Sequence, residues 1–321
     1  MGDDRGRGFN FIFDFIFLKA LDISFMKISE IFAQKKQSFS FEFFPPKTLE
    51  AEEQLYGAVA DLKSLKPTFV SVTYGAMGST SSNSIRIADR IKTKLGLEVA
   101  SHLTCVGNTK QEIEKVLSEL KSKGIQNLVA LRGDPPKGET EFKPVAGGFR
   151  YASELVSFIR AHADFGDWFS IAVAGYPEKH PEAVSLEQDW KNLSLKVKEG
   201  ADAVVTQLFF SNGDFFRFEE GCRKLGIAVP LVAGIMPVTN GKQIERFSQM
   251  CGASIPQPIH AAIQKFGDDN ESITQFGIEY ASRQCEELIR QGIAGIHFYT
   301  LNKSRATAEI YTNLGLHKSQ I

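Results

Sequence analysis

The chain has 321 residues, 43% of them hydrophobic and 23% charged, enough for one large α/β domain or two smaller ones. Lys and Arg total 37 against 38 for Asp and Glu, so no net field draws it to nucleic acid or to an anionic membrane surface. Its four cysteines, Cys105, Cys222, Cys251 and Cys285, stand far apart without C-x-x-C spacing, which argues against a disulfide framework or a metal knuckle and for reduced thiols in the cytoplasm.

In chain order, residues 9–21 are apolar but interrupted by Asp14 and Lys19. That run is too short to span a bilayer, and Asp3 and Asp4 at its head do not suit a signal peptide. Residues 1–25 are read as an extension of doubtful role, a peripheral membrane or partner contact being the lesser reading. The folded unit is read as 26–321, opening at Met26 with an amphipathic helix.

The next string, residues 38–46, reads SFSFEFFPP. As a β-strand it places Ser40, Glu42 and Phe44 on one face and Phe41 and Phe43 on the other. A carboxylate buried among aromatics has its pKa raised, which makes a general acid that keeps its proton near neutrality. A buried Glu paired with Lys or Arg from a neighbouring strand fits the string equally well.

From residue 38 on, apolar runs at 39–44, 68–74, 99–105, 127–134, 169–176, 203–210, 231–238 and 295–301 alternate with helical patterns. The helices are expected at 49–65, 82–95, 110–123, 152–163, 186–199, 214–225, 242–251, 259–266, 273–291 and 304–314. Runs rich in Val, Ile and Phe with little polar alternation suit a parallel sheet covered on both faces. Eight such units predict a single-domain (β/α)₈ TIM barrel. An open doubly wound sheet is the alternative, but no G-x-G-x-x-G follows the first strand, and Gly241-Lys242 lacks the partner glycine of a P-loop.

Barrel chemistry sits where strands end. Polar residues gather there: Thr73 and Tyr74, His102 and Thr104, Arg132 and Asp134 (expected on one face), Tyr176 with Glu178, Lys179 and His180, and Gln207. In the helix after the fifth strand, Leu186, Trp190, Leu193 and Val197 form the packing stripe. Asp189, Asn192 and Lys196 lie opposite, where spacing alone predicts a solvated face.

The strings SFEFFPPK, FVSVTYGA, HLTC, ALRGDPP, YPEKHPEA, TQLFF, GIMPV and HFYTLN together resemble the methylenetetrahydrofolate reductase family, in order, over about residues 39–314. The resemblance implies a single catalytic barrel of bacterial type that binds FAD across its C-terminal face. The implied reaction reduces 5,10-methylenetetrahydrofolate to 5-methyltetrahydrofolate by ping-pong hydride transfer from NADH or NADPH, in one-carbon and methionine metabolism. By motif, the catalytic acid falls on Glu42, with Asp134 to stabilise the iminium. Flavin contacts fall on Thr73, Tyr74, Ala76, His102, Arg132, Gly133, Asp134, Ala152, Tyr176, His180, Ala183, Asp189, Asn192 and Lys196, so the face that spacing leaves solvated is implied to hold cofactor. Folate contacts fall on Asp134, Gln207 and Gln243, with Phe247 packing over either substrate and Lys303 toward the glutamate tail.

Two positions depart from the family pattern. Leu195 stands where an Arg is usual, leaving one cation fewer for the diphosphate. Lys303 replaces a frequent Arg and loses its bidentate fork. A homo-oligomer is implied; NADH, NADPH and a partner electron-transfer protein all stay open as donor. The chain is expected to lack the regulatory domain of longer members and its control by S-adenosylmethionine. A lyase or aldolase on a phosphate-binding barrel is the competing enzyme class, but no Schiff-base Lys lies within a strand; a silent partner-subunit barrel is a third reading.

Overall fold

Each β-branched and aromatic run pairs with the next, and the last returns to the first. The computed structural model describes residues 26–34, 37–74, 81–135, 138–139 and 141–316; the N-terminal extension lies outside them. The strands are β1 Ser38–Phe43, β2 Phe69–Val72, β3 Val99–Thr104, β4 Asn127–Leu131, β5 Ser170–Gly175, β6 Ala203–Thr206, β7 Leu231–Ile235 and β8 Gly295–Tyr299. They form a closed barrel in sequence order, every neighbour parallel, with β8 against β1. This is the expected (β/α)₈ barrel in a single domain.

Helices α2 Leu49–Lys63, α3 Ser81–Arg90, α4 Lys110–Ser122, α5 Ala152–Ala161, α6 Leu186–Lys198 and α7 Asn212–Lys224 follow the first six strands. The β7–β8 connection carries three, α8 Gly241–Cys251, α9 Gln257–Phe266 and α10 Asn270–Arg290, and α11 Arg305–Asn313 follows β8. Side-chain caps start several of them: Thr109 and Glu112 form a reciprocal capping box on α4, and Ser185 and Asn240 cap α6 and α8. No helix among the described residues is long and apolar enough to cross a membrane.

The strands stop short of the apolar runs. The fourth run was expected to reach residue 134, yet its ladder ends at Leu131, and Gly133 turns away at φ 87°. Arg132 and Asp134 therefore do not share a strand face. The sixth ends at Thr206, and Leu208, Phe209 and Phe210 are buried outside the ladder. Hydrophobic runs report burial, and at the mouth of a barrel burial continues past the last paired residues of the ladder.

Side chains alternate between two layers. Phe41 and Phe298 point outward and pack with Tyr311 of α11. Phe69, Ala100, Val129, Ala172, Ala203 and Val232 point inward and cluster with Ile28 and Ile31 of α1 Ile28–Ala33, which plugs the lower end. The Ile28 amide donates to Asn127 Oδ1 (2.7 Å), and Asn127 donates to Glu98 Oε1 (2.9 Å). Glu98 pairs with buried Lys92 at 3.1 Å. A buried carboxylate so partnered satisfies the polar groups that the plug covers.

Candidate active site

Glu42 occupies the inward face near the upper end of β1, opposite Ser71 on β2 and Tyr299 on β8. Phe41 and Phe43 take the outer face, as alternation requires, so the phenylalanines do not surround the carboxyl. Its neighbours are imidazoles. His102 Nε2 lies 3.3 Å from Glu42 Oε2 without the alignment of a hydrogen bond, and His297 Nε2 lies 3.4 Å from the same oxygen.

Those neighbours reverse the expectation that aromatic burial raises the acid's pKa. Burial pushes the Glu42 carboxyl up, but His102, chiefly by its charge, and His297, chiefly as a hydrogen-bond partner, outweigh it and bring the group down to about 2. Among the described residues no Lys or Arg pairs with Glu42; its ionic partners are the two histidines.

His297 is fixed on all sides. Its Nδ1 meets Ser40 Oγ at 2.7 Å, and its Nε2 lies 3.2 Å from Ser71 Oγ. Phe69 stacks on the ring at 6.1 Å, and Tyr299 meets it edge-on at 5.5 Å. The Tyr299 hydroxyl donates to the Thr206 carbonyl (2.6 Å). Gly234 makes room for that ring: a Cβ there would fall 2.7 Å from Tyr299 Cε2 and 2.2 Å from the Thr206 oxygen.

Above this layer, the strand-end loops supply the mouth. Arg132 is gripped by Glu182 through two 2.6 Å bonds and covers Phe142 at 4.9 Å. Gly133 at φ 87° packs on Val106 and Thr104, where a Cβ would come within 2.6 Å of Val106. Asp134 is exposed. Tyr176 meets His180 edge-on at 4.7 Å, and burial raises its phenol, with Asp134 and Asp189 adding to the rise. Burial, then Arg132, lowers His180.

The loop after β5 is tightly tied. Asp189 Oδ2 accepts from the His180 amide (2.9 Å), and Lys179, in the left-handed region at φ 131°, donates to the Ala183 carbonyl (2.6 Å). Lys196 departs from the solvated face expected of it. Its ammonium tucks under and donates to the Ala174 carbonyl at 2.5 Å. Burial pushes that group down to about 8, against the pull of Asp189. Asn192 stays exposed and accepts from Gln188 (3.0 Å).

Most of the remaining predicted residues lie just after strand ends or on α8. Thr73 follows β2, its amide donating to Phe43 O (2.9 Å), and Tyr74 packs against the core. Ala76 lies outside the described residues. Ala152 opens α5. Gln207 Oε1 accepts from the Leu208 amide (2.9 Å). Gln243 lies in the first turn of α8, and Phe247 on that helix joins a cluster with Leu208, Tyr299 and Leu301. Lys303 is exposed after β8.

Sequence reasoning missed His297, Ser40, Ser71 and Glu182 as members of this site. Period-two alternation was the available signal for the first: with Tyr299 inward on β8, His297 must also point inward. Two buried polar atoms on the inner face of β3, His102 Nε2 and Thr104 Oγ1, have no hydrogen-bond partner. An arrangement of this kind accepts a ligand with a polar edge at the mouth and presents an acid from below.

The sequence matches the family described as Methylenetetrahydrofolate reductase over residues 27–315. It is 41% identical over 299 residues to Methylenetetrahydrofolate reductase (NADH) 1 of Arabidopsis thaliana, covering 90% of this chain and 50% of that protein. It is 40% identical over 283 residues to the 5,10-methylenetetrahydrofolate reductase of Escherichia coli (strain K12), covering 88% and 92%. The chain thus spans about half the length of the plant relatives and nearly all of the bacterial one. Among solved structures, a Clostridium thermocellum protein described as binding two copies of 5-methyl-5,6,7,8-tetrahydrofolic acid aligns with TM-score 0.61 at 14% identity, over 91% of this chain and 99% of that one. That likeness is one of fold. At these identities and coverages, the chain belongs to the methylenetetrahydrofolate reductase family.

Proposed function

We propose that the protein reduces 5,10-methylenetetrahydrofolate to 5-methyltetrahydrofolate with electrons from NADH or NADPH, using FAD held without a covalent bond at the barrel mouth. The observation that carries this is the single carboxyl of Glu42, presented from the barrel interior by two imidazoles beneath a rim of family-matched polar groups. The unpartnered Thr104 Oγ1 fits the polar edge of a flavin, and His102, whose Nε2 faces Glu42, would border it. Arg132, Tyr176, His180, Asp189, Asn192 and Lys196 would hold the rest of the cofactor, which supplies hydride acceptance and donation when bound.

The chain's own residues handle protons and position. Opening the methylene bridge requires a proton on N10 of the folate, and Glu42 is the donor. The imidazoles hold the free carboxyl down to about 2, so the proton it delivers is one taken up with substrate bound, and Ser40 and Ser71 hold the His297 ring in register. Asp134 supplies negative charge at the rim, suited to hydrogen bonding the pterin and offsetting the iminium. Gln207 and Gln243 would orient the pterin, Phe247 would cover either substrate, and Lys303 would meet the glutamate tail. Two carboxyl groups in opposed surroundings divide the acid and electrostatic tasks.

The test is an anaerobic titration of purified protein. The expected result is a flavin absorption spectrum that NADH or NADPH bleaches and 5,10-methylenetetrahydrofolate restores. A colourless protein that takes up no added FAD overturns the reading.

A further inference from the structure

The β1–β8 ladder ends at Glu42 and Tyr299, but contact between the two chain segments does not. Beyond the last backbone pair, side chains of β8's following turn take over. Thr300 Oγ1 donates to the carbonyl of Glu42 itself at 2.6 Å. The Asn302 amide donates back to Thr300 Oγ1 at 3.2 Å. The Asn302 side chain then meets the backbone of Phe44 twice: its Oδ1 accepts from the Phe44 amide (3.0 Å), and its Nδ2 donates to the Phe44 carbonyl (2.8 Å).

A carboxamide has the same donor and acceptor as a peptide unit, so Asn302 extends the ladder by one mock residue past Glu42. Doing so requires an uncommon backbone. Leu301 and Asn302 are both left-handed, at φ 52° and 58°, and neither is glycine. Consecutive outliers of this kind persist only where surrounding contacts over-determine them, and they concentrate at functional sites. Here Leu301 is anchored in the apolar cluster that contains Phe247 and Tyr299. The Lys303 amide closes the turn onto the Thr300 carbonyl (3.0 Å).

We propose that Thr300 and Asn302 are positioning residues for the catalytic acid, a clamp that fixes the height of the Glu42 carboxyl at the barrel mouth. The inference rests on the reading of Glu42 as the acid that protonates folate. β1 has Ser71 and Val72 of β2 on one side, paired through the strand to Phe43. On the β8 side, among the described residues, the clamp alone carries the pairing beyond Glu42. Without it, the end of β1 can pivot about the β2 ladder, which moves the carboxyl while leaving the rest of the barrel paired. Displacement of a catalytic group by about 1 Å costs up to about 10²-fold in rate.

The experiment uses the FAD-loaded full chain in stopped flow, with flavin reduction by NADH and reoxidation by 5,10-methylenetetrahydrofolate followed separately. The variants are Asn302→Gly, which keeps the left-handed backbone and removes both side-chain bonds, Thr300→Val, its conservative partner Thr300→Ser, and Glu42→Gln. Asn302→Gly and Thr300→Val are expected to slow reoxidation by about 10- to 100-fold, with flavin reduction and FAD content unchanged. Thr300→Ser is expected to restore the rate, and Asn302→Gly is expected to add nothing further in a Glu42→Gln background.

Equal slowing of both half-reactions, or full additivity with Glu42→Gln, overturns the clamp. So does a normal reoxidation rate in both Asn302→Gly and Thr300→Val while Glu42→Gln abolishes it. A normal rate in Glu42→Gln instead overturns the reading of the acid on which the clamp depends. If Asn302→Gly loses FAD or folded structure, the Thr300→Val and Thr300→Ser pair decides by the same criteria.

Discussion

The Glu182 carboxylate holds both terminal nitrogens of the Arg132 guanidinium at 2.6 Å, tying the end of β4 to the loop after β5. The hydrogen bonds from Arg132 keep the Glu182 carboxyl below its usual range. In the proposed function Arg132 is also a cofactor contact, so Glu182 competes with FAD for its charge. Glu182→Gln is expected to change thermal stability by no more than about 1 kcal/mol, because the carboxylate is half exposed. It is expected to tighten FAD binding, as read from the quenching of flavin fluorescence on titrating apoprotein; weaker binding would show instead that Glu182 orients Arg132 for the cofactor.

Lys196 sets a cost on the cofactor-free protein. Its pKa falls from 10.5 to about 8 on folding, so between these values the unfolded chain holds a proton that the folded chain does not. Stability therefore rises with pH across pH 8 to 10.5, and the full penalty applies below pH 8. That penalty is about 3 kcal/mol, offset by about 1 kcal/mol from the bond to Ala174. Lys196→Met is expected to stabilise the apoprotein at pH 7 by about 1–2 kcal/mol in urea denaturation and to flatten the alkaline slope. FAD retention should fall in the same variant.

Glu42→Gln keeps the size of the side chain and removes its capacity to carry and deliver a proton. Flavin reduction by NADH should proceed near the parent rate, since no substrate nitrogen is protonated in that half-reaction. Reoxidation by 5,10-methylenetetrahydrofolate should fall by roughly 10²–10⁴-fold. Parallel loss of both rates would mark Glu42 as structural.

The N-terminal boundary has a sharp expected position. Removal of residues 1–25 should leave solubility, flavin content and turnover within a small factor. Ile28→Ala should instead lower stability by about 2–4 kcal/mol, because its fully buried side chain fills the lower barrel end. Chemical denaturation of the two variants separates plug from extension.

The eight-fold alternation was legible because each strand run is short, apolar and followed by a helical period; that pattern needs no knowledge of contacts. The inward placement of Ser40 and Glu42 was legible for the same local reason. What surrounds Glu42 was not, since His297 lies 255 residues away along the chain and meets it only through barrel closure. The string showed phenylalanines beside the acid, while the fold puts them behind it. Lys196 misled for another reason. Helical spacing places its Cα on the outer face, but four methylenes let the ammonium double back to Ala174. Asn302 carried no periodic signal, because its role depends on a left-handed turn.

The apolar stack beneath His297 sets a direction for protons. Phe69 closes the ring from below, and Ile28 seals the barrel end under it. In the proposed reaction, each proton spent by Glu42 must therefore be replaced from the mouth, the same opening through which nicotinamide and folate come and go. Recharging the acid then belongs to the interval when the upper pocket admits water. A bound product that lingers there would delay the next protonation as well as the next hydride.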